Sequence, residues 1–471
     1  MRPALRMLTC ALLAVTATSR AAFAQSATEL AAKGIIYEDP ASFPGKAALS
    51  PDDEKFLDDL QRRGIQFFID EADPRTGLMP DRARATGGKV NEASSTASVG
   101  FGLTALCIGA ERGFIPRQEA YDRCLKVIKF LYEHGQHEHG MFYHFINMGS
   151  GGREWKSEVS NIDTALLVCG VIVARQYFPN TELAEIANKL CDRVEWDWML
   201  DRSNNLCHTG YKPEGGMYPG HWGAYSECPV LICLIGMGSN THPLSAEAWN
   251  AWKREPVITY AGLTFVQCPP LFTHQFPQCW FDLRGVRDDH ANYFRNARLA
   301  TIAQRQWMAE ELSKKYAHYG PNVWGLTASD WKNGYTGWGG PPADGPIDGS
   351  VVPCAPAGSL AFEPRICLDA LRHMKQQYGA KAYLKYGFVD AFNPKSDWYN
   401  KDVIGIDVGP AVLMAENCRS GFVWKTFMSA PEAQRALKAA GFRPDEPRDA
   451  STTATSVYKS EKRPSDAGNG R

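Results

Sequence analysis

The sequence predicts an all-α fold, a toroidal α/α barrel with two concentric rings of helices. Three observations predict it. Apolar residues recur at helical spacing in one segment after another, while few stretches alternate as strands do. Short connections (Gly113 to Pro116, Phe178 to Asn180) alternate with long, aromatic, glycine-rich ones, as helical hairpins set around a ring require. Runs such as Ala165 to Ala174 are apolar nearly all round, which suits inner helices buried on both faces.

The first helix is expected over Asp53 to Glu71, where Phe56, Leu57, Leu60, Ile65, Phe67 and Phe68 fall near helical spacing. Ser95 to Arg112 and Arg117 to His134 follow as a pair. Ser160 to Tyr177 opens on a capping box, with Ser160 as N-cap and Asp163 three residues on. Thr181 to Asp197, Ser226 to Met237, Asp289 to Ser313, Leu360 to Tyr378, Val408 to Trp424 and Ala430 to Ala440 complete the series. Residues 25–53 read as a loose leader. Residues 54–442 show no linker composition and read as one catalytic domain. Residues 443–471 are rich in Pro, Asp, Ser, Thr and Lys and are expected to be disordered.

The N-terminus reads as a secretory signal. Arg2 and Arg6 precede the apolar run Met7 to Val15, and Ala22-Phe23-Ala24 is a small-x-small cleavage site, so export to the periplasm or medium is expected. Removing residues 1–24 takes away Arg2, Arg6 and Arg20 and no acids. That leaves 48 basic against 52 acidic residues, a net charge of about −4. Such a balance gives no electrostatic case for nucleic acid and suits a neutral partner. No later segment is long and apolar enough for a membrane span. Twelve cysteines remain after cleavage, and their even number permits disulfides. Cys107, Cys169, Cys191, Cys228, Cys233 and Cys367 lie in apolar helical runs and read as small core residues. No Cys-x-x-Cys pair or nucleotide-binding loop occurs, so neither metal nor cofactor is expected.

The candidate chemistry centres on Glu227. It opens a helix just after the loop Tyr211 to Gly223, in which Tyr218, His221 and Trp222 stand among glycines. Aromatic rings provide a stacking floor for the flat C–H face of a pyranose, and a carboxyl beside such a floor can protonate a glycosidic oxygen. An acid in a first helical turn is also stabilising without any catalytic duty. Asp407, in Gly405-Ile406-Asp407-Val408-Gly409-Pro410, is the second candidate; its alternative role is N-cap of the next helix. Flanking glycines suggest room for a ligand. Asp163 reads equally as capping acid or cleft acid, and Glu158 as a cleft acid. Tyr225 and Trp222 belong to the stacking floor. Trp324, Asp330, Tyr335 and Trp338 fall in a loop dense in aromatic and polar groups, read as a sugar-stacking lid. His274 is a candidate substrate contact, against its reading as a satisfied core histidine.

These residues sit in segments that resemble a known family. In order they are Gly100-Phe101-Gly102-Leu103, Glu111-Arg112-Gly113-Phe114-Ile115, Asp163-Thr164-Ala165, Ala174-Arg175-Gln176-Tyr177-Phe178 and Val194-Glu195-Trp196-Asp197-Trp198. Then come Tyr225-Ser226-Glu227, Asp282-Leu283-Arg284-Gly285, Trp324 to Asp330, Tyr386-Gly387-Phe388, Asp390-Ala391-Phe392-Asn393, Ile406-Asp407 and Glu416-Asn417. The chain thus resembles the bacterial glucoamylase-like hydrolases that include glycoside hydrolase family 144, the endo-β-1,2-glucanases. The resemblance implies an (α/α)6 barrel and hydrolysis of β-1,2-linked glucose chains. It implies Glu227 as the acid and Asp407 as the base. The family's acidic cluster before Thr164-Ala165 is kept only as Glu158 and Asp163, and Val408 stands where glutamine is usual. An exo-acting or transglycosylating enzyme on the same fold, or a non-catalytic glycan-binding protein, is the alternative. An inverting pair should lie roughly 6.5–9.5 Å apart or more, against about 5–5.5 Å for a retaining one.

Overall fold

The computed structural model describes residues 49–342 and 344–445. The expected signal segment, nearly all of the leader and most of the C-terminal tail lie outside them. The helices are α1 (Pro51–Asp70), α2 (Thr96–Glu111), α3 (Arg117–His134), α4 (Asn161–Tyr177), α5 (Glu182–Asp192), α6 (Glu227–Gly238) and α7 (Ala246–Ala251). They continue as α8 (Phe272–Trp280), α9 (Tyr293–Glu310), α10 (Cys354–Gly358), α11 (Pro364–Ala382), α12 (Gly405–Arg419), α13 (Phe422–Met428) and α14 (Pro431–Ala439).

Six of these close a ring. α2 packs on α4, α4 on α6, α6 on α8, α8 on α10, α10 on α12, and α12 returns to α2. The outer layer follows from the sequence pattern. α1 and α5 are amphipathic, and α1 covers α12 and α2 with Phe56, Leu57, Leu60, Ile65, Phe67 and Phe68 buried. α3 covers α2, α5 covers α4, α9 covers α8 and α11 covers α10. The remaining outer place, against α6, is taken by α14 from the far end of the chain. A buried ion pair, Arg175 Nη1 to Glu432 Oε1 at 2.7 Å, fastens α14 to α4. The result is an (α/α)6 barrel. α6 is buried along its whole length, as an inner helix must be. α2 and α4 touch backbone to backbone at Gly100 and Gly170, where any Cβ would enter the facing helix.

The departures from expectation have local causes. α8 and α10 are inner-ring members that the pattern does not signal, because Pro277 interrupts one and Pro353, Pro356 and Gly358 punctuate the other. The stretch expected as Val408 to Trp424 is two helices, divided where Gly421 takes φ 68°. The stretch Thr181 to Asp197 stops at Asp192, and Trp196–Met199 is a separate 3-10 turn. The tail begins later than residue 443, since Arg443–Pro444 pairs antiparallel with Val286–Arg287. The strands elsewhere are short two-stranded ribbons in the connecting loops. The twelve described cysteines are all free thiols. No helix among the described residues is long and apolar enough to cross a membrane.

Candidate active site

The inner helices open at one end of the barrel. The N-termini of α2 and α12 meet at Pro80-Asp81, where the Pro80 carbonyl accepts from Ser98 Oγ and the Asp81 carbonyl from the Gly405 N–H. Those of α2 and α4 meet at Phe142 to His144, and those of α10 and α12 where Cys354 Sγ donates to Asp407 Oδ1 at 3.0 Å. Aligned helix N-termini carry partial positive charge, which favours carboxylates at this end.

Glu227 is the first residue of α6, after the N-cap Ser226. Its Oε1 accepts from Cys228 Sγ at 3.0 Å, while Oε2 is buried and has no partner among the described residues. Burial raises its pKa, and the charge of Asp163 adds to the rise. A raised pKa favours the protonated carboxyl, and with one oxygen free that carboxyl can donate a proton.

Asp407 is the third residue of α12, whose N-cap is Ile404, so the capping role is excluded. The flanking glycines do not make room for a ligand either. Ser98 fills the space beside Gly405 and the Phe101 ring that beside Gly409, so both serve the close seating of α12 on α2. Asp407 is buried, and its pKa is raised to about 6 by burial, opposed by hydrogen bonds from Asp390 and Cys354. Asp390 is its hidden partner. Burial, then the charges of Asp407 and Asp330, push Asp390 well above the usual carboxyl range. The proton of the pair therefore sits on Asp390 and is donated to Asp407. Asp390 Oδ2 in turn accepts from the Asp330 N–H at 2.7 Å and from Asn400 Nδ2 at 3.2 Å. Asp330 itself pairs with Arg82 at 2.7 Å and Asn400 at 3.0 Å, so it orders this side of the cleft.

α6 and α12 stand three places apart in a ring of six, facing one another across it. Neighbouring helix axes lie about 8–10 Å apart, so opposite axes are roughly twice that. Asp163 shifts the Glu227 carboxyl but Asp407 does not, as such a separation requires.

Beside Glu227, the structure joins both sequence readings of Asp163. Its N–H makes the capping bond to Ser160 Oγ at 3.2 Å, that hydroxyl donates back to its Oδ2 at 2.5 Å, and its Oδ1 faces His144 Nε2 at 3.7 Å. His144 Nδ1 lies 3.0 Å from Glu158 Oε1. Burial works against the imidazolium, but Asp163, Glu158 and Asp81 outweigh it and raise its pKa to about 9. Burial alone would raise Glu158, yet its bond to His144 brings it below the usual range. Phe145 stacks on His144 at 3.9 Å, and Trp155, half exposed, lies 5.0 Å beyond. Trp155 and Lys156 both take positive φ, a strain that turns this aromatic outward.

Other expected contacts lie elsewhere. Trp222 is half-buried, with its indole N–H on Asn161 Oδ1 at 3.1 Å. Tyr225 and His274 are core. The Tyr225 hydroxyl meets His274 Nδ1 at 2.9 Å, its ring stacks on Tyr293, and burial drives the His274 pKa down to about 3. His274 therefore stands neutral inside α8, not in a loop. Trp324 and Trp338 are buried too, and Trp338 donates to Ser329 Oγ at 2.8 Å beneath the hairpin Ala328–Trp331/Gly334–Gly337. The exposed aromatic of the stretch is Tyr335 on that hairpin, 43% exposed, with Asp407, Asp390 and Asp81 near its hydroxyl.

Residues 219–431 match the model of the Glycoamylase family, described as "Putative glucoamylase". Over that stretch the chain is similar to the glucoamylase-like family. A curated relative from Parabacteroides distasonis, an exo β-1,2-glucooligosaccharide sophorohydrolase acting at the non-reducing end, is 28% identical over 426 residues, 82% of this chain. The chain spans 58% of that relative's length. The endo-β-1,2-glucanase of Chitinophaga pinensis, solved with sophorotriose and glucose, superposes with a TM-score of 0.76 at 29% identity. That match covers 84% of this chain and 99% of the other. A β-1,2-glucanase from Parabacteroides distasonis gives 0.76 at 26% identity, covering 83% and 60%.

Sequence patterns do not single out Asp390, His144 or Arg82 in the barrel. Asp390 was visible only as part of a matching segment; nothing in its spacing ties it to Asp407. His144 and Arg82 gain their roles from loops that the fold brings together.

The shared proton makes a test. A base must be ionised, so if Asp407 serves as one the acid limb of kcat/KM should lie near pH 6, with activity falling below it. Asp390→Ala removes the donor that favours the ionised form, so the limb should move to higher pH. Asp390→Asn keeps an N–H donor and should hold it in place. Superimposable profiles for both variants would separate Asp390 from Asp407.

Proposed function

We propose that this protein is an exported, inverting endo-hydrolase of β-1,2-glucan, with Glu227 as general acid and Asp407 as general base. The observation that carries the reading is the pair of buried carboxyls on opposite inner helices, both with raised pKa values, Glu227 with one oxygen free. Glu227 gives its proton to the leaving glycosidic oxygen. Asp407 takes a proton from water attacking the opposite face of the sugar, and a sugar hydroxyl or a second water relays it where the gap is wide. The names of the relatives supply the linkage.

Endo action is favoured by the aromatics that flank the acids. Trp155 lies outward on the His144 side and Tyr335 on the Asp407 side, so glucosyl units find a stacking surface on both sides of the bond to be cut. Linear β-1,2-glucan incubated with the purified chain should give a spread of oligosaccharides, with the α-anomer formed first by NMR. Disaccharide alone would mean exo action, and longer chains transglycosylation. A first-formed β-anomer would overturn inversion, and binding without turnover would leave a glycan-binding protein.

The corrected lid assignment has its own expected result. Tyr335→Ala should raise KM by roughly 2- to 12-fold with little change in kcat, the worth of an aromatic stack of about 0.5–1.5 kcal/mol. Trp338→Ala should instead cost about 3–5 kcal/mol of stability, because it empties a buried site. Thermal unfolding and steady-state kinetics on the two variants check this. The reverse pattern would return Trp338 to the lid.

A further inference from the structure

Ahead of α6, three short chain segments lie side by side. Leu200–Asp201 pairs with Leu206–Cys207, and His208 bridges His221. The register places Asp201 opposite Leu206 and His208 opposite His221. Leu206 and His208 point to the same face, so Asp201, His208 and His221 share it. Their donor atoms all lie within 4.8 Å of one another, and none of the three belongs to the acids described above. We propose that Asp201, His208 and His221 bind a divalent cation of the zinc class.

Three features beyond proximity support a ligand set. His208 Nδ1 lies 2.7 Å from the Tyr218 carbonyl oxygen and must donate to it, which leaves the lone pair on Nε2. Such a second hydrogen bond is what fixes a metal-binding imidazole in its tautomer. His221 Nε2 faces Asp201 Oδ2 at 3.0 Å, close to the separation of two ligands on one zinc ion. A cation entering there takes the place of the shared proton, which moves to Nδ1 of the same ring. Asp201 is preset as well, holding the Ser203 N–H at 2.9 Å and Ser203 Oγ at 2.6 Å. Two imidazoles and one carboxylate suit zinc better than magnesium or calcium, and water can complete a tetrahedral shell.

The site would brace the loop beside Glu227. Asn161 at the start of α4 holds the His208 carbonyl at 2.9 Å through Nδ2 and the Trp222 indole at 3.1 Å through Oδ1. A cation clamping His208 to His221 therefore fixes the segment that carries Trp222 and leads into α6.

The full chain, stripped with a chelator, should be titrated with zinc chloride by calorimetry and followed by thermal unfolding. One equivalent should bind, and Tm should rise with zinc but not with magnesium. Zinc uptake should weaken at least tenfold in H208A/H221A, and zinc should no longer raise its Tm. D201N, which keeps the shape of the loop, should weaken uptake in the same direction and serves if the double variant does not fold. Absence of zinc uptake by the wild-type chain, equal uptake by D201N, or an equal Tm rise with magnesium overturns the proposal.

Discussion

Glu227→Gln is expected to lower turnover about 10²–10⁴-fold, the usual worth of a positioned general acid. The residue is buried at the start of α6, one oxygen is taken by Cys228 Sγ, and the other is free for a leaving oxygen. Glutamine keeps the shape and can still accept from Cys228, so folding should change little. What it lacks is the transferable proton. Loss should therefore fall on kcat, with substrate affinity nearly kept. An activated substrate whose leaving group needs no protonation should recover much of the rate. Near wild-type turnover on glucan would remove Glu227 from the acid role and turn attention to Asp163, whose pKa burial also raises.

Asp407→Asn is expected to cost a similar factor, about 10²–10⁴-fold. Asparagine can accept from Cys354 through Oδ1 and donate to Asp390 through Nδ2, so the end of α12 should stay in place, but it cannot take a proton from water. The acid limb near pH 6 should vanish with the activity, since that limb reports ionisation of the Asp390–Asp407 pair. Full activity in this variant would leave Asp407 a structural role only. A variant that loses turnover but keeps the acid limb would move the base to Asp330, whose pKa burial raises despite Arg82.

The two variants differ in their background. On the α6 side a cation, His144, stands between Glu158 and Asp163 and balances two acids near a third. On the α12 side the balance is one shared proton and Arg82, which binds Asp81 and Asp330. The cleft thus raises the pKa of one wall's acid by burial and leaves the other's available as a base above about pH 6.

The sequence by itself determined the class of fold and most of the helices, and it marked Glu227 and Asp407 as candidate acids. Helical spacing in α1 and the unbroken apolar runs of α4 and α6 are local patterns, and burial of such faces has few solutions besides concentric rings. Glu227 stood out because a first-turn acid follows an aromatic glycine loop. Tertiary structure decided what depends on residues far apart in the chain. It seated α14 in the outer place that the order of hairpins leaves open, and it made ring members of the proline-marked α8 and α10. It sent Trp324, Trp338, Tyr225 and His274 into the core while leaving Tyr335 and Trp155 exposed, because the composition of a loop does not say which ring points inward. It also brought Asp390 to Asp407 and His144 to Asp163. A pKa depends on burial and on charges within a few ångströms, and neither is a property of sequence neighbours.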